Sequence, residues 1–95
     1  LGLRHDSAYR TNVGIVNLDS VSHTWTVTIN GSSASGSFNV TVLPASMRQV
    51  PLPSGNYGNL LVHLQADAPG FWWTAYGASV DNITGDGWIS HVMQP

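Results

Sequence analysis

The sequence predicts an all-β fold, an antiparallel β-sandwich of about seven short strands. Three observations point to it. Apolar and polar residues alternate in several short runs, and the signals that open and close helices are missing. Clusters of Gly, Pro, Asn and Asp separate those runs at regular spacing. The chain contains no Lys and no Glu, so it is poor in surface helix formers and takes its polarity from Ser, Thr, Asn and Gly.

Leu1 to Ala8 shows no clear periodicity and reads as a lead-in segment to a single domain spanning residues 1–95. Leu1 stands without an initiator Met, which reads as a processing event or a domain boundary. From Tyr9 to Asn17, Thr11, Val13 and Ile15 alternate with Arg10, Asn12 and Gly14 as a first strand. After the Asp19-Ser20 turn, Trp25, Val27 and Ile29 alternate with Thr24, Thr26 and Thr28. Asn30-Gly31 signals a hairpin, and Phe38, Val40 and Val42 form the inward row of the next strand. Pro44 ends it, and Met47 to Leu52 reads as a short edge strand limited by Pro51 and Pro53. Leu60, Val62, Leu64 and Ala66 share one face of a fifth strand. Beyond Ala68-Pro69-Gly70 comes the longest β-type run, Phe71 to Val80, with a polar turn and a return strand from Trp88 to Val92. The expected core is Val13, Ile15, Trp25, Val27, Ile29, Phe38, Val40, Val42, Leu60, Val62, Leu64 and Tyr76.

Composition narrows the function. Only 8% of residues are charged, against about 25% in an ordinary soluble domain. A net charge of −2 with three scattered arginines gives no footprint for nucleic acid or an anionic membrane. No apolar run approaches the length of a transmembrane helix. The Thr- and Asn-rich, Lys-free composition is that of exported proteins, so a secreted or cell-surface location is expected.

Three pieces carry a resemblance: Arg10-Thr11-Asn12-Val13-Gly14-Ile15-Val16-Asn17, then Leu43-Pro44 with Gln49, then Tyr76-Gly77-Ala78-Ser79-Val80-Asp81-Asn82-Ile83-Thr84-Gly85-Asp86. In order and spacing they resemble the C-terminal β-sandwich module of secreted bacterial multidomain proteins, with its RTN-x-G-x-VN opening and its closing Y-x-A-S-V-DN-x-TGD strand and turn. The resemblance implies an immunoglobulin-like, exported, non-catalytic module with no catalytic residues to carry over. Gly87-Trp88 replaces the Pro that usually follows the Asp, and Phe71-Trp72-Trp73 is heavier in aromatics than the pattern.

Several constellations are candidates for sites. Asp81, Asn82, Thr84 and Asp86 offer oxygens to calcium, but only two carboxylates lie close together, so an Asx-rich turn capping its own amides is the preferred reading and no cofactor is expected. Arg10 and Asp81 are expected to pair and fix strand register. Phe71 and Trp73 share one strand face, with Trp72 and Tyr76 on the other. A strand apolar on both faces is covered on both, so Phe71 and Trp73 are expected to meet a neighbouring subunit or domain, or to serve as a platform for a glycan. Asn30, Asn39 and Asn82 begin N-x-S/T sequons. Gly77-Ala78-Ser79-Val80-Asp81 lacks the second Gly of a nucleophile elbow. His5, His23, His63 and His91 show no zinc spacing, and His63 with His91 are candidate cross-strand neighbours. The expected function is therefore a non-catalytic extracellular structural module that assembles with copies of itself or with neighbouring domains. A carbohydrate-binding module is the alternative.

Overall fold

The expected all-β antiparallel sandwich is what the chain forms, with eight strands among the described residues rather than about seven. The computed structural model describes residues 2–85 and 87–94, with residues 88–94 described through their backbone. The strands are β1 (Gly2–His5), β2 (Tyr9–Asn17), β3 (His23–Gly31), β4 (Ser35–Val42), β5 (Ser46–Pro51), β6 (Gly58–Ala66), β7 (Trp73–Asp81) and β8 (Gly87–Gln94). One sheet has the order β1-β6-β3-β4 and the other β5-β2-β7-β8, and every pairing is antiparallel.

The additional strand lies in the stretch read as a lead-in. Gly2–His5 pairs with the start of β6, from Gly2 opposite Leu61 to His5 opposite Gly58. Four residues are too few to show a period, which is why alternation does not reveal this strand. It matters for packing all the same. Leu3 is buried, and its side chain fills the space above Gly77 on β7, where a Cβ would lie 2.3 Å from a Leu3 methyl.

Alternation translates directly into burial on β2 and β3, where Val13, Ile15, Trp25, Val27 and Ile29 are fully buried between the sheets. Val40, Val42, Leu60 and Val62 complete this core. Each such side chain contributes roughly 1.5–3 kcal/mol on burial. Phe38 and Leu64 are only partly buried and pack against its margin. Leu52, Tyr57, Phe71, Trp73 and Ala75 belong to it as well.

Tyr76 departs from the expected core. The inward row of β7 is Trp73, Ala75, Gly77 and Ser79, so Tyr76 stands on the outer face. There its ring covers Gly14, its directly paired neighbour on β2, and its hydroxyl donates to Gln49 Oε1 at 2.6 Å. A Cβ at Gly14 would sit 2.3 Å from two ring carbons of Tyr76. Gly14→Val is therefore expected to displace the ring, break the bond to Gln49 and cost about 1–3 kcal/mol, as overpacking does. Urea unfolding with Tyr76→Ala as the second arm checks this, because Gly14→Val in that background should be nearly neutral.

The opening and closing motifs are partner strands. β2 pairs with β7 along its whole length, from Tyr9 opposite Asp81 to Asn17 opposite Trp73. Thr11 and Ser79 face each other in the interior, their hydroxyls 2.7 Å apart. Both bond the backbone of Arg4 in β1, and the Arg4 amide donates back to Ser79 Oγ at 2.9 Å. Two buried hydroxyls thus satisfy each other and tie β1 across the sandwich, as buried polar groups require.

Candidate docking end

One end of the sandwich is organised by Asn17, the last residue of the opening motif. Its side chain is fully buried. The amide group donates to the carbonyl of Val21 at 2.9 Å, of Val42 at 3.1 Å and of Leu43 at 3.3 Å. Its Oδ1 accepts the Asp19 amide at 2.9 Å. One carboxamide therefore ties the β2–β3 turn to the end of β4. The Ala45 amide donates to Asp19 O at 3.0 Å, and the Leu18 amide donates to Trp72 O at 3.2 Å, bringing in the β4–β5 and β6–β7 turns. Ala45 takes a left-handed backbone with φ of 49°, a conformation uncommon outside Gly and Asn.

Beneath these turns lies His23, the first residue of β3, only 8% exposed. Its Nδ1 is 2.6 Å from Asp67 Oδ1 and its Nε2 is 2.7 Å from Asp19 Oδ2. Asp67 Oδ2 also accepts the Thr24 amide at 2.8 Å. Phe71 stacks flat on the imidazole, with centroids 3.8 Å apart and planes 5° from parallel. Trp25 meets both Phe71 and Trp73 edge-on at 5.8 and 5.7 Å, an arrangement that suits aromatic quadrupoles. Hydrogen bonds to Asp19 and then Asp67 hold the His23 imidazole above its ordinary range.

On this rigid base the turns display apolar side chains. Among the described residues, seven large hydrophobics are exposed, and five of them (Leu18, Val21, Leu43, Met47 and Trp72) belong to this end or to the strand positions beside it. Leu43 is 65% and Trp72 56% exposed. Val16 and Met47 are direct partners on the outer face of the β5-β2-β7-β8 sheet and continue the patch along it. The other sheet presents Thr24, Thr26, Thr28, Asn39, Thr41, His63 and Gln65 outward, a hydroxyl and amide surface.

The expected platform residues are placed otherwise. Phe71 and Trp73 are 8% and 6% exposed and lie in the intersheet core, so neither offers a surface to a neighbour or a sugar. Parity puts them together correctly, but the face they share is the inner one. Trp72 is the aromatic that faces solvent.

Arg10 and Asp81 do not form the expected pair. Arg10 Nη1 donates to Asn82 Oδ1 at 3.1 Å, still joining β2 to the closing turn. Asp81 Oδ1 accepts the amides of Ile83 at 2.7 Å and Thr84 at 3.2 Å, an Asx turn, and these bonds hold its carboxyl below the usual range. A calcium site finds no support from this geometry. Asp81 caps its own turn, and Asn82 Oδ1 faces a guanidinium while its Nδ2 donates to Ser7 O. Asp86 lies outside the described residues. Among the described residues no group of three His, Cys, Asp or Glu is arranged to hold a metal ion.

The remaining candidates have plain structural places. Asn30, Asn39 and Asn82 are all exposed, with Asn39 Oδ1 accepting from Thr26. Ser79 is buried, with its hydroxyl engaged by Thr11 and by the backbone of Arg4. His63 on β6 and His91 on β8 belong to different sheets and are not strand neighbours. A shallow open hollow of about 430 Å³ beside β1, lined by Gly2, Leu3, Asn30, Asn59, Leu60 and Leu61, contains neither a titratable nor an aromatic side chain. Comparison with known protein families, curated proteins and solved structures finds no match.

Proposed function

We propose that this chain is a non-catalytic extracellular structural module that assembles with copies of itself or with neighbouring domains through its apolar end. The observation that carries this reading is the gathering of five of the seven exposed large hydrophobics of the described residues around the Asn17-tied turns. Exposed apolar surface that is contiguous and held rigid marks a contact site, whereas scattered residues do not. The sparse charge supports the same reading, since 8% charged residues give copies of the chain little mutual repulsion. The extracellular part rests on the Lys- and Glu-free composition and on the resemblance of the two motifs to exported modules.

Trp72→Asp and Leu43→Asp place charge in the centre of the patch without touching the core. Both residues are exposed, so stability should stay within about 0.5 kcal/mol of the parent. Sedimentation velocity should show the parent associating with itself, and each variant associating less. The exposed Trp72 ring favours a second reading, a carbohydrate-binding face, because flat aromatic faces accept sugar rings. A parent that stays monomeric at millimolar concentration, and binds on a glycan array only with Trp72 intact, would replace the assembly reading with that one.

A further inference from the structure

The geometry around His23 determines the charge of its ring. An ionised carboxylate only accepts hydrogen bonds, and each ring nitrogen faces one at 2.6 or 2.7 Å. Both nitrogens must then carry protons, which a neutral imidazole cannot provide. His5 shows the opposite arrangement, its Nδ1 accepting the Thr11 amide at 2.9 Å, and burial lowers its tendency to protonate. Asp19 reaches His23 from the β2–β3 turn and Asp67 from the β6–β7 turn. The other groups against the ring, Phe71 and Trp25, do not titrate. Val42, the β4 partner of His23, is apolar, and Arg48 is engaged with Thr41 O. Among the described residues no second cation competes for the two carboxylates.

The same two acids sit on the turns that carry the patch. Asp19 follows Leu18 and accepts the Ser20 amide, and Asp67 opens the turn that leads to Trp72. We propose that His23 is a buried imidazolium clasp that pins these two turns together, so that loss of its proton releases the docking end. The consequence for assembly rests on the docking reading above, whereas the clasp itself stands on the hydrogen-bond geometry.

The pH window follows from the directions of the shifts. His23 is raised above 6.5, so its contribution is full below 6.5 and is lost as pH rises through the higher folded value. Asp19, through its bond to His23, and Asp67, through the Thr24 amide and then His23, are lowered below 3.8. Their contribution is present above 3.8 and is lost as pH falls through the lowered values. The clasp is closed between these limits and opens on the alkaline side.

The test is a titration of the ¹⁵N-labelled full chain from pH 5 to 9, reading the ring nitrogens of His23 and His5 and the exchange of the Leu18 and Thr24 amides. At pH 7 both His23 nitrogens should show the protonated pattern while His5 shows a neutral one. The His23 midpoint should lie above 6.5 and move down in Asp67→Asn. Protection of the two amides should fall about tenfold beyond the intrinsic rate change through the same midpoint, as for a locally opening segment. His23→Gln should abolish that step. A His23 ring that is neutral at pH 7 would overturn the clasp, and this wild-type reading decides alone if the variants do not fold. Self-association followed by sedimentation across the midpoint separates the two readings. Association that falls with protection supports both, and association that persists unchanged would overturn the docking end while leaving the imidazolium in place.

Discussion

Trp25→Ala is expected to cost about 3–5 kcal/mol, the range found when a fully buried aromatic is truncated in a packed core. Trp25 is wholly inaccessible, and its indole touches His23, Phe71 and Trp73 edge-on at 6.1, 5.8 and 5.7 Å. Those partners come from β3, the β6–β7 turn and β7, so one side chain joins both sheets at the end where the clasp lies. In a domain of this size each kcal/mol moves the midpoint by about 4–8 °C, so the loss is large enough to leave the chain unfolded at moderate temperature. Trp25→Phe separates ring packing from the rest of the indole. The Nε1–H of Trp25 is buried without a hydrogen-bond partner among the described residues, an orphan that Phe removes. Trp25→Phe is therefore expected to cost well under half of the Ala value in urea unfolding. A loss below about 1 kcal/mol for Trp25→Ala would mean that the ring does not sit in the core.

Trp25 was legible in the sequence because the run from His23 to Asn30 alternates without interruption. Elsewhere a period of two says which residues share a face and not which face turns inward. On β7 the bulky row suggested Tyr76 as core and Phe71 with Trp73 as surface, and the structure inverts this. The reason is that the inward row beyond Trp73 consists of small residues, Ala75, Gly77 and Ser79. Their space is filled from outside the strand, by Leu3 over Gly77 and by Thr11 and the Arg4 carbonyl against Ser79. Leu3 and Arg4 belong to the four-residue strand that shows no period, so what fills the space over these small residues could not be seen along the chain.

The candidate site was legible in part. The motif residues are prominent in the sequence, but their work is structural: Thr11 with Ser79, Gly14 under Tyr76, Asn17 between the β2–β3 turn and the end of β4, Asp81 in its Asx turn. His23 passed as one of four histidines without metal spacing. A signal was present, since Trp25 lies opposite Ala66 in the β3–β6 pairing, and that register carries Asp67 to the start of β3. Recognising it requires the strand order, which short apolar runs do not specify. The exposed Leu18, Val21 and Leu43 fall in or beside stretches read as turns, Trp72 was read inside the closing strand, and only the folded chain gathers the four.

Asn17→Asp tests the organising residue of that gathering and should have an effect as large as the loss of Trp25. The substitution keeps the size and shape of the side chain and replaces the amide group by a second carboxylate oxygen. That oxygen would face the carbonyls of Val21, Val42 and Leu43, which now receive bonds of 2.9, 3.1 and 3.3 Å. Three acceptors would confront an acceptor, and a fully buried charge would gain only the Asp19 amide as a donor. An uncompensated buried charge costs about 3–5 kcal/mol at neutral pH. Asn17→Ala, which leaves the carbonyls unpaired but adds no charge, should cost about 1–3 kcal/mol. The two variants should also differ in pH dependence. Burial among acceptors favours the protonated acid, so the folded pKa of the new carboxyl is raised, and the penalty is small in acid and grows as pH rises above the ordinary carboxylate value of about 3.9. Unfolding measured at pH 4 and pH 7 should therefore show Asn17→Asp recovering toward Asn17→Ala at the lower pH. Self-association of either variant should be weaker even where the sandwich remains folded, since Leu18, Val21 and Leu43 lose the carboxamide that fixes their turns. Equal stability of parent and Asn17→Asp at both pH values would mean that the turns hold their places without Asn17, and the rigid apolar end would lose its physical basis.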